Sequence, residues 1–288
     1  MSQWDGKTKG TVIGYKILLN SIKLFGLPLT YLILRFVTFY YYLFATKNRN
    51  AIRSFYLNAL KIPKNQVNKL TRKNFFLFGQ TLIDRSAFLI GKGDKFSYTF
   101  SNEQYLLDIK DAGKGGILLS GHVGNWETAG NLLKSRVTPT INVLMYDEEV
   151  QKIKQYTDAV TGGSKFNIIP IKDNLSHVIK VHQALKRNEF IAIHADRYLE
   201  GAKFIELDFL GRKAKFPLGP FIIASKFKAP VTFVFAVKET KYHYLLSSTK
   251  PTTENVSAEE IAKKFVIELE KKVTLHPEQW FNYFNFFK

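Results

Sequence analysis

A histidine and a glutamate stand five positions apart in the stretch LLSGHVGNWETAG, where an apolar run ends abruptly. An ionised carboxylate can hold an imidazole in one tautomer and stabilise the imidazolium that forms when the ring takes a proton. His122 and Glu127 therefore have the chemistry of a general base and its partner, of the kind that removes a proton from a hydroxyl during acyl transfer.

Two glycines in this stretch supply the bend that such a pair requires. On a continuous helix, side chains five positions apart point about 140° away from each other, so the pair converges only if His122 lies outside the helix. Gly121 and Gly124 allow a sharp turn out of a strand, and Asn125 is a good N-cap for a following helix. The sequence predicts a strand, a tight turn that carries His122, and a helix.

Other chemistry fits the same residues less well. A capping turn in which a carboxylate satisfies the histidine is the simplest alternative. A zinc or iron site could use His122, Glu127, His194 and Asp196, but no HExxH-type spacing supports it, and we predict no metal. The chain has no cysteine and no GxSxG elbow before the histidine. Direct attack by a substrate hydroxyl follows more naturally than a covalent intermediate.

The composition indicates a globular, strongly basic protein. The 288 residues are 45% hydrophobic and 15% aromatic, which excludes a disordered chain, and the 23% of charged residues argues against a polytopic membrane protein. Lys and Arg number 42 against 24 Asp and Glu, for a net charge of +18. Such a protein attracts anions: nucleic acid, an anionic lipid surface or an acidic carrier protein.

The N-terminal region is the most apolar part of the chain. Residues 17–45 are interrupted by Lys23, Arg35 and Pro28, so a clean membrane span is not expected. We expect one or two amphipathic helices in the membrane interface, with Tyr31 and residues 40–42, all tyrosine, at headgroup level. A pair of buried core helices is the alternative. This predicts a membrane-associating segment over residues 1–50 and a second domain over 51–288.

From about residue 103, apolar runs alternate with amphipathic stretches, which predicts an α/β fold: a mostly parallel mixed sheet flanked by helices. The predicted strands are residues 115–120, 141–146, 166–171, 189–194, 230–237 and 242–248. The predicted helices are residues 127–136, 148–160, 174–187, 219–227 and 258–273. Polar residues after 115–120 and 189–194, and the segment FPLGPF (216–221), are expected to face one cleft. The aromatic C-terminus is predicted to be a packed helix capped by His276.

The motif GHVGNWE resembles the His-x4-Asp/Glu motif of the bacterial lipid A biosynthesis (late) acyltransferases, within the wider glycerolipid acyltransferase group. Further segments resemble that family in the same order: WDGKTKGTVIGYKI, AIRSFYLNAL, ADRYLEGAKFIELDFLGRKAKFPLGPFIIASKFKAPV and HPEQWFNYFNFF. The resemblance covers nearly the whole chain. It implies a glycerolipid acyltransferase-like fold and an O-acyltransferase that moves a fatty acyl chain from a thioester to a glycolipid hydroxyl, most simply of a lipid A precursor.

The resemblance also implies site residues. His122 would be the base and Glu127 its partner, with a substrate-binding set of Asn125, Trp126, Asp196, Arg197, Arg212 and Lys213. Asp196 and Arg197 would lie where the group contacts the acceptor or its phosphate. Two departures stand out: Met145–Glu149 occupies a place where many members carry an arginine, and the motif ends in Glu rather than Asp.

No cofactor is implied beyond the donor, which is acyl carrier protein or coenzyme A thioester. The implied partners are anionic inner-membrane lipid, acyl carrier protein and the glycolipid acceptor, at the cytoplasmic face of the inner membrane, and no nucleic acid. Transfer to a different membrane lipid is one alternative. A non-catalytic basic protein that binds nucleic acid is another, although the sequence has no recognisable motif for it.

Overall fold

A computed structural model of the chain describes residues 12–133, 139–146, 167–172, 174, 176–252 and 256–287. The first half contains helices α1 (Val12–Phe44), α2 (Thr46–Asn58), α3 (Lys64–Leu89), α4 (Gln104–Asp111) and α5 (Trp126–Leu133), with strands β1 (Ser97–Ser101), β2 (Gly116–Ser120) and β3 (Ile141–Tyr146). The second half contains β4 (Asn167–Ile171), α6 (Ser176–Lys186), β5 (Phe190–His194), β6 (Phe204–Phe209), β7 (Arg212–Pro217), α7 (Leu218–Lys226), β8 (Val231–Lys238), β9 (His243–Ser248) and α8 (Ala258–Leu275), followed by a short 3-10 helix (Pro277–Gln279).

Seven strands form one sheet in the order β1-β9-β8-β2-β5-β3-β4, and all neighbours are parallel except β8 and β9. Helices cover both faces, and the central strand β2 is buried at every position. Such burial explains its unbroken apolar sequence, because a parallel strand covered on both faces has no polar side. Strands β6 and β7 form a separate antiparallel hairpin. The predicted α/β class is confirmed.

The pairing of β2 with β5 brings two distant parts of the sequence together. Ser120, the last residue of β2, is in register with His194, the last residue of β5. The backbone N–H of Ala195 continues the pairing by donating to the Ser120 carbonyl at 2.9 Å. His122 and Asp196, each two positions beyond the end of its strand, are therefore neighbours at the carboxyl edge of the sheet.

Helix α1 has a buried side and an exposed side. The helix kinks at Gly26, where φ is +68°, two residues before Pro28. One side packs on α3 and the sheet, with Ile22 fully buried, and the other side exposes large apolar residues such as Phe36 (72%). Residues 16–44 are long and apolar enough to cross a membrane by length and composition. The boundary predicted at residue 50 lies inside α2.

One expectation for this helix is wrong. Tyr31 does not reach a headgroup layer, because its side chain is only 3% exposed and its hydroxyl donates to the carboxylate of Asp84. Tyr40 and Tyr41 are more than half exposed, as an interfacial position requires. The tyrosines of α1 thus divide between the core and the surface.

The predicted strands and helices match the structure unevenly. All six predicted strands are present within one residue at each end, but β1, β6 and β7 were not predicted. Four predicted helices correspond to α5, α6, α7 and α8, while the helix predicted over 148–160 and the end of the one over 127–136 lie outside the described residues. The aromatic C-terminus is not a helix: beyond Pro277–Gln279, the described residues up to 287 have no helical assignment.

The exposed side of α1 gives a test of membrane association. Deleting residues 1–47 would remove core residues such as Ile22, so charge substitutions are the cleaner change. We expect Leu32→Glu combined with Phe36→Glu to move the protein from the membrane pellet to the supernatant, because each exposed apolar side chain contributes roughly 1.5–3 kcal/mol when buried in lipid. Ile179→Glu, at a position 62% exposed on α6, is the matched control and should leave pelleting unchanged.

Candidate active site at the carboxyl ends of β2 and β5

The turn that carries His122 depends on Gly124. Its φ is +75°, and a Cβ built on it would lie 1.9 Å from the carbonyl oxygen of Ala236 in β8. The next residue, Asn125, donates its backbone N–H to that same oxygen at 2.8 Å. Gly121 has an ordinary φ, but a Cβ there would lie 3.2 Å from the carboxylate of Asp196. Gly124 is needed because its backbone approaches the backbone of β8 closely, whereas a Cβ at Gly121 would meet only side chains.

Asn125 caps the helix that follows, as its position predicted. Its side-chain oxygen accepts a hydrogen bond from the N–H of Thr128 at 3.2 Å, and its amide nitrogen donates to the Thr81 carbonyl and the Tyr244 hydroxyl. The side chain is only 4% exposed. Asn125 therefore holds the turn, and its polar atoms are engaged by the protein rather than open to a substrate.

The carboxylate partner of His122 is Asp196. The Asp196 Oδ1 lies 2.7 Å from His122 Nδ1, and its Oδ2 accepts the backbone N–H of His122 at 2.8 Å. The indole N–H of Trp280 also donates to Oδ2, at 3.2 Å. Asp196 is 1% exposed. A buried carboxylate on Nδ1 fixes the tautomer and directs Nε2, on the other edge of the ring, away from it.

This geometry changes two expectations. Asp196 was expected to contact the acceptor, but it is buried and both its oxygens accept hydrogen bonds from the protein. Glu127 was expected to be the partner of His122, but its Oε1 instead accepts a hydrogen bond from Arg85 Nη1 at 2.7 Å. The Glu127 side chain is 22% exposed in the first turn of α5. The physical reason is that strand pairing, not helical spacing, decides which carboxylate meets the imidazole.

The electrostatics of the pair favour a neutral histidine and an ionised aspartate. Burial lowers the pKa of His122 below its ordinary value, and the charge of Arg197 acts in the same direction, while Asp196 opposes both. Burial alone would raise the pKa of Asp196, but His122 and Arg197 outweigh it and hold that pKa well below its usual range. His122 is therefore unprotonated at neutral pH and can accept a proton.

An apolar pocket adjoins the histidine. The ring of His194 stacks on that of His122 with centroids 4.4 Å apart, and Trp126 meets His194 edge-on at 5.1 Å. Both His194 and Trp126 line the pocket, whose other walls are mostly aliphatic side chains from the sheet and from α4 and α5, including Leu106, Leu118, Val143, Ala192 and Leu246. Burial lowers the pKa of His194 to about 3, so its imidazole stays neutral. An alkyl chain in this pocket would begin next to the catalytic candidates.

The remaining predicted residues contact other parts of the protein. Arg197 donates from Nη2 to the carbonyl of Phe281 at 2.7 Å. Lys213 pairs with Asp208 across the exposed hairpin, and Arg212 stacks on the ring of Phe287. The segment FPLGPF was expected to line the cleft, but it provides buried core residues, among them Phe216 and Phe221.

A metal site was considered for the same cluster. The donor atoms of His122, His194 and Asp196 lie within 4.8 Å of one another, and two imidazoles with a carboxylate would suit zinc. Both oxygens of Asp196 already accept N–H groups, however, and Glu127, the fourth residue of that hypothesis, pairs with Arg85. The contacts favour a hydrogen-bonded pair over a metal centre.

Sequence reasoning missed Trp280 and Arg85 as site residues. Trp280 belongs to a segment that pairs with the turn: Gly124 N–H donates to the Gln279 carbonyl at 2.9 Å, and Phe281 N–H donates to the His122 carbonyl at 3.0 Å. No pattern in the sequence pointed to Trp280, which stands in the aromatic segment EQWFNYFNFF. No pattern indicated Arg85, near the C-terminal end of α3.

The fold and the histidine beside an apolar pocket have the features of an acyltransferase. The family model described as bacterial lipid A biosynthesis acyltransferase matches residues 11–288, nearly the whole chain. The chain belongs to this family, and it is an acyltransferase enzyme. This confirms the resemblance seen in the motifs. No curated protein matches the chain.

The close approach of Gly124 to Ala236 predicts that a side chain at position 124 destabilises the protein. Gly124→Ala should lower the free energy of unfolding by about 3 kcal/mol or more, since the new Cβ meets a backbone carbonyl in addition to the strained φ. Gly211 also has a positive φ, +70°, but nothing lies within 4 Å of its Cβ position, so Gly211→Ala should cost only about 1–2 kcal/mol. Denaturant unfolding in detergent measures both, and equal losses would show that the contact with Ala236 is unimportant.

Proposed function

We propose that the protein transfers a fatty acyl chain from an acyl thioester to a hydroxyl of a membrane glycolipid, most simply a lipid A precursor. The observation that carries this proposal is the imidazole of His122, whose Nδ1 is held by a buried carboxylate and whose ring stands beside an apolar pocket. Among the described residues, Nε2 has no hydrogen-bond partner. It is the atom positioned to receive a proton.

In the proposed reaction, His122 Nε2 takes the proton of the acceptor hydroxyl as its oxygen attacks the thioester carbonyl. The tetrahedral intermediate collapses with cleavage of the carbon–sulfur bond, and the proton passes from His122 to the departing thiolate. The products are the new ester and a free thiol. Asp196 stabilises the imidazolium that exists between these two proton transfers.

Glu127 remains in the proposed catalytic set, in a different role from the expected one. Arg85 engages Oε1, while Oε2 has no hydrogen-bond partner among the described residues. This partly exposed oxygen can accept a hydrogen bond from a hydroxyl of the acceptor and orient it toward His122. Arg85 fixes the carboxylate through a partly buried ion pair.

The apolar pocket supports a fatty acyl donor. Its walls are almost entirely hydrocarbon, and it lies against the residue stacked on the base, so a thioester carbonyl at its mouth would be near Nε2. The donor is acyl carrier protein or coenzyme A thioester, and no other cofactor takes part. The net charge of +18 favours the acidic carrier protein.

The location that fits this substrate is the cytoplasmic face of the inner membrane. Members of the family are typically associated with membranes, and the exposed apolar side of α1 is consistent with that. Basic residues near α1 would contact anionic lipid, and Arg212 and Lys213 are available to a phosphate on the acceptor. A glycolipid acceptor in the membrane would then reach His122 without leaving the membrane surface.

The proposal predicts a defined lipid phenotype. Mass spectrometry of total lipids should show one glycolipid species lacking a single acyl chain in cells without the gene, and the wild-type gene should restore it. His122→Ala should fail to restore it, because loss of a general base costs roughly 10²–10⁴ in rate. His182→Ala, on the exposed side of α6, is the control and should restore the lipid fully. Full restoration by His122→Ala would refute the assignment of the base, and an altered lipid of another class would refute the acceptor.

The hydrogen bond between His122 and Asp196 predicts that the two residues act as a unit. Asp196→Asn should lower kcat by roughly 10²–10⁴ with little change in KM, and adding it to His122→Ala should cost little more than His122→Ala alone. Asp208→Asn, on the exposed hairpin, should leave kcat unchanged. Thermal unfolding of each variant separates lost chemistry from lost fold. Fully additive losses would show that Asp196 acts separately from the base.

A further inference from the structure

The orientation of Asp196 depends on a residue near the end of the chain. Of the three N–H groups that Asp196 accepts, two belong to His122 itself, and the third is the indole N–H of Trp280, 84 residues farther along the chain. Without that third donor, nothing else among the described hydrogen bonds would fix the rotation of the carboxylate independently of the histidine that it orients.

Trp280 is itself rigidly placed. It is 1% exposed, and the rings of Phe55, Phe209 and Phe286 surround its indole at centroid distances of 4.6, 5.6 and 4.9 Å. All three contacts are edge-on, a favourable arrangement of aromatic rings. The N–H therefore points in one direction, because the indole has no room to rotate.

The backbone on both sides of Trp280 is tied to the turn that carries the base. Gln279 accepts from Gly124, and Phe281 donates to the carbonyl of His122. Arg197, which follows Asp196, donates to the Phe281 carbonyl. The indole donor, the carboxylate and the imidazole thus belong to one rigid frame, and a packing role alone would not require the N–H to meet Asp196.

We propose that Trp280 is a positioning residue of the reaction, whose indole N–H orients Asp196 and draws off part of its charge so that His122 remains an unprotonated base. The inference rests on the proposed function. Electrostatics determines the direction in which loss of the indole N–H changes the pKa of His122. A carboxylate with one hydrogen-bond donor fewer attracts the imidazolium more strongly, so the loss raises this pKa. Activity requires neutral His122, so the acidic limb of the rate profile moves to higher pH.

The groups that face His122 allow this limb to be assigned. Asp196 and Arg197 face it from the segment after β5, the ring of His194 stacks on it, and the helix after the turn carries Glu127, which is paired with Arg85. With a pKa of about 3, His194 does not titrate in the range of an assay, and Asp196 stays ionised. An acidic limb within the assay range then reports His122.

The test replaces the N–H and keeps the ring. Trp280→Phe in the full chain, in detergent, should shift the acidic limb of kcat/KM upward by about 0.5–1 pH unit and lower the plateau kcat about three- to thirtyfold, with KM for the acyl thioester unchanged. Phe265→Leu is the matched control: Phe265 is buried against Phe221 and Phe233 and makes no ring contact with the indole, so its loss should lower the stability without moving the limb. An unmoved limb in Trp280→Phe would overturn the proposal.

A second substitution and a second measurement keep the test independent of folding and of the assay. Benzothienylalanine at position 280 has the shape of tryptophan and lacks the N–H, and it should give the same shift if Trp280→Phe is poorly folded. Nitrogen NMR of labelled histidine, with His122 assigned from a His122→Gln variant, measures the pKa directly. If the pKa of His122 shifts but the protein shows no acyl transfer, the proposed function is rejected and the role of Trp280 is retained. If the pKa does not shift and the enzyme is active, the role of Trp280 is rejected and the proposed function is retained.

Discussion

A single buried carboxylate, that of Asp196, organises the candidate active site. Moving an ionised carboxylate out of water costs several kcal/mol unless hydrogen bonds and opposite charge replace the lost hydration. Asp196 is 1% exposed and accepts hydrogen bonds from three N–H groups. The positive charge of Arg197 also stabilises its ionised form. Those donors come from the turn after β2 and from the C-terminal segment. The carboxylate can therefore be buried only when β2 pairs with β5 in this register and the C-terminal segment packs beside the turn.

A second buried polar cluster supports the other side of the same turn. Lys238 and Asp84 form an ion pair inside the protein, and the hydroxyls of Tyr31 and Tyr244 also bind the carboxylate of Asp84. Tyr244 in turn accepts from the amide of Asn125. Buried ion pairs are weak sources of stability but specify geometry well when every partner is present. Here the cluster joins helix α1, which carries Tyr31, to the cap of α5.

The sequence predicted many of the secondary-structure elements, but it did not show which elements lie side by side in the fold. Apolar runs identified six strands because buried strands carry a strong signal, whereas the hairpin β6–β7, in which buried and exposed residues are mixed, has no unbroken apolar run. The bend at Gly124 and the cap at Asn125 were also readable, since both follow from local backbone chemistry. The partner of His122 was not readable. The next predicted strand along the chain after β2 is β3, and only the three-dimensional order shows β5 beside β2 and hence Asp196 beside the histidine.

Partial burial gives His122 two properties that the proposed acyl transfer needs together. It lowers the pKa of His122, which weakens the base but keeps it unprotonated near neutral pH. Partial burial also limits the access of water, which in the proposed reaction would compete with the acceptor hydroxyl for the thioester. The ionised Asp196 restores part of the lost basicity as the proton arrives, because an imidazolium beside a carboxylate is stabilised most in a poorly solvated site. A base that is neutral at rest and stabilised on protonation suits a hydroxyl nucleophile better than a fully hydrated histidine would.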